Sequence, residues 1–176
     1  MSYKSPQRYY PVLIATVLFT GIIRVRMVNS ILNLYTDGAC RGNPGYGGVG
    51  VVLTDEKGNI LGTTGKFLGL CTNNLAEYQA LIIGLEEAIK RHCRKLHIFL
   101  DSELLVNQIN GAYRVKNDKL KILMGDVRRL LTFFDGYVIE HIVRDRNQTA
   151  DKLANQAIDE ALTIQEMGAR SQDSGC

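Results

Sequence analysis

Three strand-like runs, Ile31–Thr36, Gly48–Thr54 and Ile60–Leu68, follow one another with no helical segment between them. Parallel neighbours need a crossover of roughly a dozen residues or more, usually a helix, so these runs must pair as an antiparallel meander. The first run ends at Asp37-Gly38 and a glycine-rich turn; the polar stretch Asp55–Asn59 joins the second to the third. After Leu68 the pattern changes. From Asn74 to about His92, apolar residues fall at Leu75, Tyr78, Leu81, Ile82, Leu85 and Ile89, the spacing of a helix with one buried face. Leu96–Leu100 reads as a short strand, Ser102–Ile109 as a short helix stopped by Asn110-Gly111, Leu120–Phe133 as a helix, Tyr137–Val143 as a strand and Ala150–Leu162 as a helix. The predicted order is βββαβααβα. Strands separated by helices run parallel to a neighbour, so the expected fold is α/β: a mixed sheet of about five strands with helices on its faces.

Composition decides what else the chain can be. At 45% hydrophobic and 22% charged residues it falls among ordinary globular proteins rather than fibres or disordered chains. Cys40, Cys71, Cys93 and Cys176 show no CxxC spacing and read as reduced thiols, consistent with a cytoplasmic protein. The net charge of +3 is misleading, because Lys4, Arg8, Arg24 and Arg26 occur with no acid in the first 26 residues. Residues 27–176 sum to −1, so any grip on a polyanion must come from local patches. The apolar run Val12–Ile23 is shorter than the roughly 20 residues that span a bilayer. It also lacks a small-residue cleavage site. Met27 is the expected natural start, with an inefficient signal or membrane-surface anchor as the alternative. The domain expectation is an extension over 1–26, a folded domain over 27–163 and a polar flexible tail over 164–176.

Four acids recur where elements meet: Asp37 and Asp101 after the first and fourth strands, Glu77 and Asp151 in the first turns of the two long helices. Each has an ordinary explanation. Asp37 could initiate a turn, Asp101 could cap the short helix, Glu77 could complete a capping box with Asn74, and Asp151 could favour its helix dipole. Sheet geometry changes the balance. Carboxyl ends of adjacent parallel strands share the edge where ligands bind in open α/β sheets, so neighbouring first and fourth strands would bring Asp37 and Asp101 together. Crowded carboxylates raise one another's pKa values, and no nearby residue in the sequence obviously neutralises them. A hard divalent cation is the natural partner. Magnesium prefers oxygen ligands completed by substrate phosphates, and two such ions can clamp the attacking and leaving oxygens of a phosphodiester.

The strings TDGACRGNPGYGGVG (Thr36–Gly50), TNNLAEYQAL (Thr72–Leu81), DSELLVNQI (Asp101–Ile109) and RDRNQTADKLAN (Arg144–Asn155) resemble the signature blocks of type 1 ribonuclease H, in order and spacing. The resemblance covers Ile31 to about Leu162. It implies a mixed five-stranded sheet of order 3-2-1-4-5 and a hydrolase that cuts the RNA strand of RNA–DNA hybrids. It further implies two Mg2+ ions, with Mn2+ as a substitute, held by the catalytic carboxylates Asp37, Glu77, Asp101 and Asp151. In that scheme one ion, mainly on Asp37 and Asp151, activates the attacking water. The other, near Asp37, Glu77 and Asp101, stabilises the departing 3′-oxygen, leaving 5′-phosphate and 3′-hydroxyl ends.

A hybrid cutter must sense the 2′-hydroxyl, and small amides both donate and accept hydrogen bonds. By similarity, Asn43, Asn73 and Asn74 would lie in the minor groove, while Thr72 and Asn117 approach a pocket for a DNA-strand phosphate; capping is the competing role for Asn73 and Asn74. Gly42, Gly45, Gly47, Gly48 and Gly50 are expected to let the backbone turn and approach substrate. Gly45–Gly50 spells GxGxxG but runs into a strand, not the helix a dinucleotide site requires. The basic helical protrusion of many relatives is reduced to Gly111–Arg114, leaving Arg114, Lys116, Lys119 and Lys121 as a small patch whose grip should be salt-sensitive. The loop before the last helix is short and carries Arg144 where many relatives have a histidine, which resembles handle-less bacterial and archaeal forms; Arg144 is expected to hold a phosphate or assist product departure. His92, His97 and His141 read as structural. A monomer without a stable membrane partner is expected. Two other classes stay open: a non-catalytic hybrid-binding module, and a transposase or integrase relative.

Overall fold

The computed structural model describes residues 31–173. The apolar run at 12–23 and the choice between Met1 and Met27 lie outside the described residues. Five strands, β1 (Ile31–Gly42), β2 (Gly45–Thr54), β3 (Ile60–Cys71), β4 (Lys95–Leu100) and β5 (Gly136–His141), form one sheet of order β3-β2-β1-β4-β5. The meander β1-β2-β3 is antiparallel, and β4 runs parallel to both β1 and β5. The expected 3-2-1-4-5 topology is therefore the observed one.

The helices are α1 (Asn73–Lys90), α2 (Glu103–Ile109), α3 (Asp118–Leu131) and α4 (Gln148–Asp173), with a 3-10 turn over Arg144–Arg146 before α4. Helix α1 lies on the central strands. Its Tyr78, Leu81 and Leu85 join Leu34, Val49, Val51, Leu53, Ile98 and Leu100 in the main core, and α3 closes that layer with Met124 and Val127. Side chains alternate across a strand, so residues of β2 between Val49 and Val51 face the other way, toward α4. Among the described residues no helix is long and apolar enough to cross a membrane.

Two boundaries differ from the sequence reading in ways that matter. The predicted glycine-rich turn is mostly strand: β1 continues through Asp37 to Gly42, and the whole Gly45–Gly50 segment belongs to β2. Glycines have weak strand preference; here neighbouring strands and α4 impose the extended form. Helix α4 runs to Asp173, beyond the expected end at Leu162, so residues 164–173 continue the helix rather than trailing from it. The apolar pattern stops because the helix outruns the sheet: Ile158 is fully buried, whereas Ile164 and Met167 are exposed.

Candidate active site

Register alone places the first two acids. Pairing of β1 with β4 ends at Thr36↔Leu100, so the next residues, Asp37 and Asp101, leave adjacent strands side by side. Asp37 is not at a chain turn: it continues in β1 and pairs with Gly50 of β2. Asp101 does not cap α2 either, since Ser102 holds that position and accepts from the Leu105 N–H.

Glu77 arrives through a glycine. A Cβ at Gly38 would stand 2.2 Å from the backbone of Ala76 and Glu77, so α1 can approach β1 this closely only where a side chain is missing. The Gly38 backbone N–H then lies by the Glu77 carboxylate and favours its charged form. The expected capping box with Asn74 is therefore not formed. Thr72 caps α1 by accepting from the Leu75 N–H, and Glu77 turns inward in the second turn of the helix.

A second glycine seats the fourth acid. A Cβ at Gly50 would lie 1.8 Å from the Ala150 carbonyl oxygen, and one at Gly48 2.2 Å from that of Ala154. Helix α4 thus rests directly on β2, with Ala150 against the strand partner of Asp37 and Asp151 next in line. These glycines were expected to approach substrate; they admit a helix instead.

The result is asymmetric. Asp37, Glu77 and Asp101 each offer a ligand atom within 4.8 Å of the others, and Asp37 and Glu77 are only 3% and 8% exposed. Burial, then the charges of Asp101 and Asp151, push the Asp37 carboxyl up to about 7, with Arg144 partly opposing. Burial and the charges of Asp37 and Asp101 also raise Glu77 well above the usual carboxylate range, against the Gly38 N–H and Arg144. Asp151 stands beside Asp37, close enough to share a hydrogen bond, yet its carboxylate is paired with the Arg144 guanidinium. The expectation that nothing neutralises the acids is corrected here: Arg144, seven residues before Asp151 across a 3-10 turn, reaches back to it.

A hard divalent cation fits this donor set. All the converging ligands are carboxylate oxygens, which magnesium, manganese and calcium favour over nitrogen or sulfur. The Asp37 Oδ2 atom is buried without a hydrogen-bond partner among the described residues. A buried, unpaired, like-charged cluster is costly, and a cation supplies the missing charge. The site opens as a cleft of about 320 Å³ lined by the trio together with Gly38, Asn73 and Arg144.

The other candidate residues distribute around it. Asn43, in the β1–β2 hairpin, accepts from the Asn73 backbone N–H at 3.3 Å and so ties the hairpin to the start of α1. Asn74 and Asn117 line a separate open cleft of about 510 Å³ with Arg114 and Lys116; Asn117 also caps α3 through the Leu120 N–H. Thr72 is engaged in capping α1. Lys121 pairs with Asp118 at 2.7 Å on the surface and lines a further cleft with Arg114. His97 contacts Glu140 and His141 the Asp101 carbonyl, both structural contacts.

Asn147 was missed. It is 2% exposed, and its amide donates to the Thr36 carbonyl at 2.9 Å and to Asp101 Oδ1 at 3.2 Å. The only sequence signal was its place four residues before Asp151, where it reads as a loop residue.

Comparison with known proteins agrees with this arrangement. Residues 35–157 match the family model described as reverse transcriptase-like. The Ribonuclease HI of Halobacterium salinarum is 42% identical over 130 residues, covering 74% of this chain and 65% of its own length. A bifunctional protein of Mycobacterium tuberculosis is 40% identical over 126 residues, covering 71% of this chain and 35% of its own. The chain thus spans less than two thirds of these relatives. Among solved structures, LC11-RNase H1 in complex with an RNA/DNA hybrid superposes with a TM-score of 0.71 at 42% identity, covering 74% of this chain and 99% of that one.

Proposed function

Because the chain belongs to the ribonuclease H family, within the reverse-transcriptase-like group, we propose that it hydrolyses the RNA strand of RNA–DNA hybrids endonucleolytically, leaving 5′-phosphate and 3′-hydroxyl ends. The observation that carries this reading is the convergence of Asp37, Glu77 and Asp101 within 4.8 Å in a polar cleft. Asp37, Glu77, Asp101 and Asp151 are the residues that would hold two Mg2+ ions, with Mn2+ able to replace them. Such ions, when bound, would lower the pKa of an attacking water and offset charge on the scissile phosphate and leaving oxygen.

The chain's own residues do the rest. Burial and its neighbours make Asp37 hold its proton to about pH 7, a proton that would pass to solvent before the carboxylate could hold a cation, and its place in β1 between Asp101 and Asp151 would let it serve both sides of the cluster. Asn73 lines the cleft, Asn43 is tied to it across the hairpin and Asn74 lines the neighbouring cleft; amides are suited to a 2′-hydroxyl that both donates and accepts. Asn117, with Arg114 and Lys116, faces the neighbouring open cleft, where a DNA-strand phosphate would lie, with Thr72 at its approach. Arg144, released from Asp151 when a cation takes that carboxylate, would hold a phosphate or help product leave; unchanged turnover in Arg144→Ala would remove it from the reaction. The protein would act as a cytoplasmic monomer.

A hybrid-binding module without catalysis is disfavoured because no acid of the set is lost. Labelled RNA–DNA hybrid, double-stranded RNA and double-stranded DNA, each incubated with Mg2+ and with chelator, test the proposal. Cleavage of the hybrid's RNA strand only when metal is present is expected. Cleavage of DNA, or full turnover under chelation, would overturn it.

A further inference from the structure

We propose that Asn147 is a positioning residue of the acid site, orienting Asp101 and fastening it to the two elements that carry Asp37 and Asp151. The inference rests on the metal-dependent reading above and adds a residue to it. One side chain makes the connection. Its Nδ2 donates to Asp101 Oδ1 at 3.2 Å and to the Thr36 carbonyl at 2.9 Å, immediately before Asp37. Its backbone carbonyl accepts from the Asp151 N–H at 3.1 Å, and its N–H donates to the Arg144 carbonyl at 2.8 Å. The flanks of three of the four acids, and of the arginine that pairs with one of them, therefore meet at one residue.

The chemistry of an amide suits this task. It donates to a carboxylate without bringing a charge, so it fixes the Asp101 carboxyl without competing with a cation for the cluster's negative field. Lysine there would compete, and a carboxylate would repel. Stability alone gives a poor account of the choice. The Asn147 Oδ1 atom is buried with no partner among the described residues, and an unsatisfied buried acceptor costs free energy that an apolar side chain of similar shape would avoid. The two donor bonds, directed at the last rung of the β1–β4 pairing and at the Asp101 carboxylate, are what the amide supplies.

Partners that orient a metal's carboxylate ligands typically change metal affinity or activity by about 10–100-fold when removed. The test uses the full chain, with Asn147→Ala and the shape-conserving Asn147→Leu. Calorimetric titration with Mg2+ and Mn2+ alone should show about 10–100-fold weaker binding in both variants. Steady-state cleavage of a labelled hybrid should show kcat reduced with KM for the hybrid unchanged. In the unmodified protein the Asn147 side-chain amide resonances should shift on adding Mg2+, with the same saturation as the Asp101 backbone amide; this readout serves even if both variants fail to fold. Folded variants that bind metal and turn over like the parent would overturn the proposal, as would an Asn147 amide indifferent to saturating Mg2+. A parent chain that binds neither ion would instead bring down the metal reading beneath it.

Discussion

The two halves of the acid site solve the same problem differently. On the β1–α1–β4 side, Asp37, Glu77 and Asp101 are packed together, two of them buried, and among the described residues no cation side chain is paired to them. On the α4 side, Asp151 is paired with Arg144, whose side chain is 73% exposed. The first arrangement is electrostatically incomplete as folded. The second is already balanced and, being exposed, easily exchanged, because ion pairs in water contribute only about 0–1 kcal/mol. A site built this way holds a charge deficit in a rigid place and keeps one replaceable carboxylate at its rim.

The largest effect expected from breaking that contrast is on cleavage. Asp37→Asn should reduce hybrid cleavage by at least about 100-fold, beyond the usual loss for a supporting partner, while the metal-free thermal midpoint stays level or rises. A clear fall in that midpoint would mean that the buried trio stabilises the fold and that the contrast is false.

Next comes the seating of the helix. Gly50→Ala puts a methyl against a backbone carbonyl that cannot swing aside, and should destabilise by about 1–3 kcal/mol in urea unfolding, with activity falling as Asp151 moves from Asp37. Unchanged stability would show that α4 has room to retreat.

The pH dependence of metal-free stability sharpens the comparison further. Asp37 holds its proton to about pH 7 when folded, against an ordinary value of 3.8. The folded state therefore binds more protons than the unfolded chain across that window, and stability falls as pH rises from about 4 to about 7, by ~1–4 kcal/mol. Glu77, also raised, acts in the same direction. Asp37→Asn should flatten the slope, and saturating Mg2+ should oppose it. Stability that instead increases through this window would contradict the buried, unpaired state of the trio.

Arg144→Ala should have the smallest effect on the fold, within ~1 kcal/mol of metal-free stability. Removing a positive charge that now offsets the cluster should tighten Mg2+ binding a few-fold, seen by calorimetry. Weaker binding would show that Arg144 organises the site rather than balancing it.

Legibility in the sequence followed the range of the interactions involved. Strand and helix identities were readable because their apolar periods are local; connection lengths restricted the fold to a mixed sheet of about five strands, and the resemblance implied its order. Asp37 and Asp101 could be paired in advance, since register in a parallel pair needs only the strand ends. Local spacing left Glu77 open between a cap and a ligand, because capping and inward-turning glutamates share it, and only the resemblance to ribonuclease H assigned its role. What separates them is Gly38, on another element. The strand character of Cys40–Gly42 and Gly45–Gly50 was hidden for a similar reason: the glycines suggest turns, and Gly48 and Gly50 are explained by α4 lying on them.

The linear chain determined the element types, the five-stranded mixed topology and the identity of the four acids, because each depends on residue order and short-range periodicity. Tertiary structure decided that three of those acids converge with their charges unbalanced while the fourth is claimed by Arg144, and that Asn147 reaches Asp101 and the backbone beside Asp37. Those outcomes rest on burial and on contacts between residues as many as 111 positions apart, distances over which no sequence period carries information.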